Sequence, residues 1–298
     1  MKRNLKIIIC LVAAAAAAAG AVFAGLKIIR HEQEQARRIQ ALESGIRQLT
    51  EKSAEAGEPG GGADPETLRL LAGYEARITR LETQAEYAEA DCIYFAVGNS
   101  ITRHPVNEVW WNDIGMSASS AEKDFAHLVA AYLAGTRGKT AANAVYLYDW
   151  EVAEARREKL KLLDPYLDPR IDLVTVQLGE NAEDLSSFET DLEELIRYIQ
   201  EKAPDARILV IDDFWNSGEI VQMKKAAAEH TGSEFVSLAE IKGDPEYQAG
   251  IGTAVYDAEG KEHRIEHPAV ASHPGDKGMR YIADRIIDAL RQKPGGEK

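Results

Sequence analysis

Ser100 stands in Tyr94-Phe95-Ala96-Val97-Gly98-Asn99-Ser100-Ile101-Thr102, where an apolar run from Cys92 to Val97 closes on a glycine and a polar cluster. Such a run is what a buried parallel strand looks like as it reaches the edge of its sheet, and the crevice beyond those strand ends is where ligands bind. A hydroxyl delivered there can act as a nucleophile if a base takes its proton and N–H donors hold the oxyanion that forms. The chain offers both at element boundaries. His273, in Ser272-His273-Pro274-Gly275-Asp276, lies just ahead of the last helical stretch and is the candidate base. Gly179-Glu180-Asn181 follows a second apolar run, where Asn181 brings a side-chain N–H; Gly115, in Asn112-Asp113-Ile114-Gly115-Met116, brings a backbone N–H. The alternative for Ser100 is a turn serine that caps the next helix.

Asn99, His104, Trp150 and Trp215 are candidates to line a substrate pocket, since all fall in or near turns that follow strands. The faces of Trp110, Trp111, Trp150 and Trp215 could stack on a sugar ring, or else cover core. His263 and His267 have no evident metal partners, and neither Cys10 nor Cys92 is spaced for a metal or for a disulfide framework. No metal and no cofactor is expected.

Strand-like and helix-like stretches alternate between these groups. After β-type residues 92–97, the spacing Ser119 to Glu122 predicts a capping box for a helix carrying Phe125, Leu128, Val129 and Leu133. Ala144 to Leu147 reads as a strand and Glu151 to Leu163 as a helix ended near Pro165. Ile171 to Leu178 reads as a central strand covered on both faces. Ser186 with Glu189 caps a helix bearing Phe188, Leu192, Leu195 and Ile199 on one side. Arg207–Ile211 and Glu234–Leu238 read as strands flanking a helix over Ile220–Glu229, the segment around Tyr256–Gly260 as a hairpin, and the last helix as starting near Asp276. Strands alternating with helices predict a parallel sheet between two helical layers.

The amino-terminal part is different. Lys2, Arg3 and Lys6 precede an uncharged run from Ile7 to Leu26 that is long enough to span a bilayer. We expect an uncleaved anchor over residues 1–29 with its basic flank inside, which places the remainder on the extracellular side of the cell membrane. A cleaved signal peptide and a secreted product form the alternative, since Val22-Phe23-Ala24 resembles a cleavage site. Residues 30–89 read as a helical stalk: Ile39, Leu42, Ile46 and Leu49 form one heptad-like seam, and Leu71, Tyr74, Ile78, Leu81 and Ala85 another, around a Gly-rich break. The seams could pair with each other, or with a second chain as self-association. Residues 90–298 are the catalytic part. A formal charge of −14 argues against a nucleic-acid partner, which would require clustered Lys and Arg.

The order Gly98-Asn99-Ser100-Ile101-Thr102, Gly115, Gly179-Glu180-Asn181 and His273-Pro274 resembles the four sequence blocks of the SGNH hydrolases, also called the GDSL esterases. The resemblance spans residues 91–292. It implies a flavodoxin-like three-layer sandwich, Ser100 as nucleophile, His273 as base, and an oxyanion hole made by the Ser100 N–H, the Gly115 N–H and the Asn181 amide. It further implies removal or transfer of acyl groups, often acetyl groups on carbohydrates. An acylated glycan, extracellular or of the cell envelope, is then the expected substrate and an esterase the expected enzyme; a glycan O-acyltransferase and a silent glycan-binding module are the alternatives. Three positions depart from the family pattern. Asn99 replaces the usual Asp, Ala182 follows Asn181, and Val270 stands where the triad acid belongs. A dyad is the simplest consequence, with a backbone carbonyl near Val270 taking the acid's place; Asp276 is expected to cap the last helix or, failing that, to help His273.

Overall fold

The computed structural model of the chain describes residues 65–292. The chain divides into two compact units, residues 1–85 and 86–298. A helix, α1 (Pro65–Ala88), forms over the second predicted seam. The anchor expected at residues 7–26 and the first seam, Ile39 to Leu49, lie outside the described residues. Among the described residues no helix is long and apolar enough to cross a membrane.

In chain order the second unit continues with β1 (Cys92–Gly98), α2 (Phe125–Arg137), β2 (Thr140–Tyr146), α3 (Tyr148–Glu151), β3 (Leu173–Gln177), α4 (Phe188–Lys202) and β4 (Arg207–Ile211). Then come α5 (Glu219–Thr231), β5 (Glu234–Val236), β6 (Ala254–Tyr256), β7 (Glu262–Arg264), α6 (Pro268–Ala271) and α7 (Asp276–Arg291). Strands β1 to β5 form one parallel sheet in the order β2-β1-β3-β4-β5, and β6 and β7 form the expected antiparallel hairpin. This strand order is the flavodoxin-like one.

Alternate side chains of β1 enter opposite cores. Cys92, Tyr94 and Ala96 join α2 and α7 residues such as Phe125, Leu133, Met279 and Ile282, while Ile93, Phe95 and Val97 join Phe188, Leu195 and Ile199 of α4 and Ile220 and Ala227 of α5. Helices on both faces explain why the strand reads as an unbroken apolar run. Removing a buried ring such as that of Phe95 would cost about 3–5 kcal/mol. The chain leaves β1 for β2 on one side and later returns to β3 on the other. The end of β1 is therefore the switch point of the sheet, where a crevice opens.

Several boundaries differ from the sequence reading for local reasons. Ser119 does not cap α2, because its N–H and Oγ both donate to Asp276; Asp124 caps the helix by accepting from the His127 N–H. Nor does Ser186 cap α4, whose first flanking residue is Ser187. Residues 151–163 are not one α-helix. The chain breaks after α3 and resumes as a 3₁₀ segment, Arg156–Leu163, because the Arg156 guanidinium donates to the Glu151 carbonyl that a longer helix would have used.

Candidate active site

The turn after β1 is built for close approach. A Cβ on Gly98 would sit 2.0 Å from Thr102 Oγ1 and 2.7 Å from the Gln177 carbonyl, so only glycine lets the chain fold back over β3. Asn99 Oδ1 then accepts from the Ile101 N–H, which fixes the turn that carries Ser100. Ser100 Oγ lies 2.8 Å from His273 Nε2.

His273 arrives from the other end of the chain, just after the single helical turn α6. His273 Nδ1 donates to the Ala269 carbonyl of that turn at 2.7 Å, which also accepts from the Ser272 hydroxyl at 2.8 Å. The Ser117 hydroxyl donates to the neighbouring Val270 carbonyl at 2.6 Å, the Trp215 indole to that of Ser272 at 2.9 Å, and the Trp215 ring meets the imidazole edge to face with centroids 4.9 Å apart. With Nδ1–H committed to a carbonyl, Nε2 carries the lone pair that faces Ser100. His273 is 9% exposed. Burial, aided by nearby His104, pushes its pKa down to about 4. Asp276 instead binds Ser119.

Of the expected oxyanion donors, two remain open to a ligand. The Ser100 N–H donates to no group among the described residues. Asn181 is partly exposed, and one of its two amide hydrogens is used, by Glu151 Oε2 at 2.6 Å. Gly115 is a correction. Its N–H donates to the buried Asp124 carboxylate at 3.2 Å, and its lack of a side chain serves packing, since a Cβ would lie 2.5 Å from the Ile101 carbonyl.

Of the expected pocket residues, His104 and Trp215 are brought to the edge of the site, while Asn99 and Trp150 are not in the pocket. Both of the latter are 0% exposed. The Asn99 amide is spent beneath the turn on Glu151 and Glu180, and Trp150 packs edge to face against Phe188 in the core. Trp110 is buried as well. His104 meets the Tyr146 ring, and Tyr146 stacks on Tyr148 at 5.9 Å, an aromatic row along the end of β2 that the tryptophan reading missed. A cleft of about 350 Å³ adjoins Asn181, with Tyr148, Val152, Glu154, Arg156, Glu183 and Asp184 on its walls.

The chain matches no model of a known protein family and no curated protein. Solved structures that it is similar to include esterases and lipases. A two-domain esterase active on acetylated mannans is 18% identical over 74% of this chain and 55% of its own length, with a TM-score of 0.47. A phospholipase A1 from Streptomyces albidoflavus is 14% identical over 67% of this chain and 99% of its own, TM-score 0.43. A family two carbohydrate esterase from Clostridium thermocellum, an active-site mutant, is 16% identical over 69% and 65%, TM-score 0.44. At such identities and scores, the chemistry of this chain has to come from its own site.

Beneath the turn that carries Ser100 lies a buried acidic layer. Glu151 Oε1 accepts from Asn99 Nδ2 at 3.1 Å and from the Gly179 N–H. Glu180 accepts from Asn99 Nδ2 at 2.8 Å, Gln177 Nε2 at 2.5 Å and the Phe214 N–H at 3.1 Å. Part of Glu180 reaches the surface, but its carboxyl group is packed inside; burial, with Asp213 and Glu151 nearby, pushes it up to about 8 against the opposing Lys224 charge. Burial also raises Glu151. Lys224 is 0% exposed and its ammonium has no hydrogen-bond partner among the described residues. The sequence shows Glu180 inside the Gly-Glu-Asn block but carries no sign of Glu151 or Lys224 as parts of this site.

Proposed function

We propose that the chain is a serine ester hydrolase of the SGNH type that removes acyl groups, acetyl above all, from an extracellular or cell-envelope glycan. The observation that carries this reading is the 2.8 Å contact between Ser100 Oγ and the neutral His273 Nε2 at the switch point of the sheet. In the acylation step Nε2 takes the hydroxyl proton as Oγ attacks the ester carbonyl. The Ser100 N–H and the free hydrogen of Asn181 Nδ2 hold the oxyanion. His273 then returns the proton to the departing sugar oxygen, and water repeats the sequence on the acyl-serine. The Ala269 carbonyl fixes the tautomer but adds no negative charge, so the imidazolium is less stabilised than in a triad.

The cleft beside Asn181 supports a neutral, hydroxyl-rich leaving group. Glu154, Glu183 and Asp184 are exposed on its rim, where carboxylates accept from sugar hydroxyls and repel an anionic head group. The uncharged run over residues 7–26 with its basic flank supports a tether that holds the enzyme outside the membrane. Turnover of acetylated oligosaccharides by the purified full chain, measured as acetate release, tests the reading; acetate release no faster than the background would refute it.

A further inference from the structure

We infer that Glu151 is a positioning residue that orients the Asn181 amide toward the oxyanion and holds it in register with the nucleophile turn. The inference rests on the reading of Ser100 and Asn181 given above. Glu151 ends α3, just after β2, and its carboxylate is fully buried. Every contact it makes is with a donor: the Asn99 amide in the turn after β1, and the Gly179 N–H and the Asn181 amide in the turn after β3. These two turns carry the nucleophile and the oxyanion donor, and they end neighbouring strands. One buried group therefore sets their separation.

The geometry of an amide makes the contact directional. The two hydrogens of Nδ2 lie in one plane about 120° apart, so fixing one on Glu151 Oε2 fixes where the other points. Without Glu151 the Asn181 side chain could rotate and present its oxygen, which would repel an oxyanion. An ionised carboxylate, which only accepts, suits three donors; a carboxamide in its place would turn a donor of its own on at least one of them. Asn99 completes the arrangement, since its Nδ2 gives one hydrogen to Glu151 and the other to Glu180. The Asn in place of the family's Asp is then required by the two glutamates below it.

The test is a double-mutant cycle on the full chain with Glu151→Gln, Asn181→Ala and both together, with kcat and KM measured on one acetyl ester and folding checked by thermal melting. Glu151→Gln should lower kcat about tenfold to hundredfold with KM nearly unchanged. In the Asn181→Ala background the same change should lower kcat by less than about threefold, because the group that Glu151 orients is gone. Losses that multiply in the double variant, or full kcat in Glu151→Gln, would overturn the inference while leaving Asn181 as donor. Full kcat in Asn181→Ala would overturn the donor role itself and the inference with it. If Glu151→Gln does not fold, Glu151→Asp, which keeps the charge one methylene short, takes its place in the same cycle and is read in the same way.

Discussion

The imidazole of His273 is held by the carbonyl of Ala269, 2.7 Å from Nδ1, where a triad would place a carboxylate. A carbonyl selects the same tautomer as a carboxylate but does not share the charge that develops on the ring. His273 should therefore be indispensable and no acidic residue should match it. His273→Ala should lower kcat on the order of 10³-fold or more. Asp257→Asn, Glu262→Gln, Glu266→Gln and Asp276→Asn should each stay within about threefold of the unaltered protein. A loss in any one of them on the scale of His273→Ala, with the fold intact, would reveal a displaced acid.

The pH profile should carry the mark of that burial. As the proposed base His273 works only when neutral, and burial, which disfavours the charged ring, lowers its pKa to about 4. The ratio kcat/KM should hold nearly level from pH 7 down to about 5 and fall as pH drops through about 4. An acid limb centred between about 6.5 and 7 would mean a solvated or acid-paired histidine.

Asn99→Asp, although it changes only an amide to a carboxyl of the same size, should damage the protein. It would set a buried carboxylate beside the carboxyl groups of Glu151 and Glu180 and remove the amide that both accept from. The expected cost is on the order of 3 kcal/mol of stability or more, read by chemical denaturation at pH 7. A variant as stable as the parent would show that the layer is more open to water than its burial implies.

Glu180 should make the fold less stable toward alkaline pH. Its folded pKa, about 8, lies above the ordinary glutamate value, so the folded state keeps a proton that the unfolded state releases. Its contribution is fully present below the unfolded pKa and is lost as pH rises toward about 8. Between pH 5 and 8 Glu180→Gln should lose less stability than the unaltered protein does; equal losses would place the titration elsewhere.

How much of this was legible in the sequence follows from how local each cause is. The strand ending at Gly98, the bounds Arg207–Ile211 and the start of α7 at Asp276 each follow from neighbouring residues and emerge as read. The lack of an acid at Val270 was visible, and the carbonyl that His273 Nδ1 meets lies one residue earlier. What the sequence hid depends on distant partners. Glu151 reaches Asn99, Gly179 and Asn181 across 52, 28 and 30 residues, and no spacing rule announces such contacts. Ser119 looked like a cap because its competitor, Asp276, lies 157 residues away. Trp150 could be read as a platform or as core because burial is decided by packing against Phe188 rather than by the loop that carries it.

The most direct test of a serine nucleophile is a fluorophosphonate probe applied to the full chain, followed by peptide mapping and by acetate release from an acetylated oligosaccharide. The probe should modify Ser100 alone and abolish turnover, and Ser100→Ala should lose both labelling and activity while melting like the unaltered protein. Undiminished acetate release by Ser100→Ala, or labelling at another serine, would contradict it.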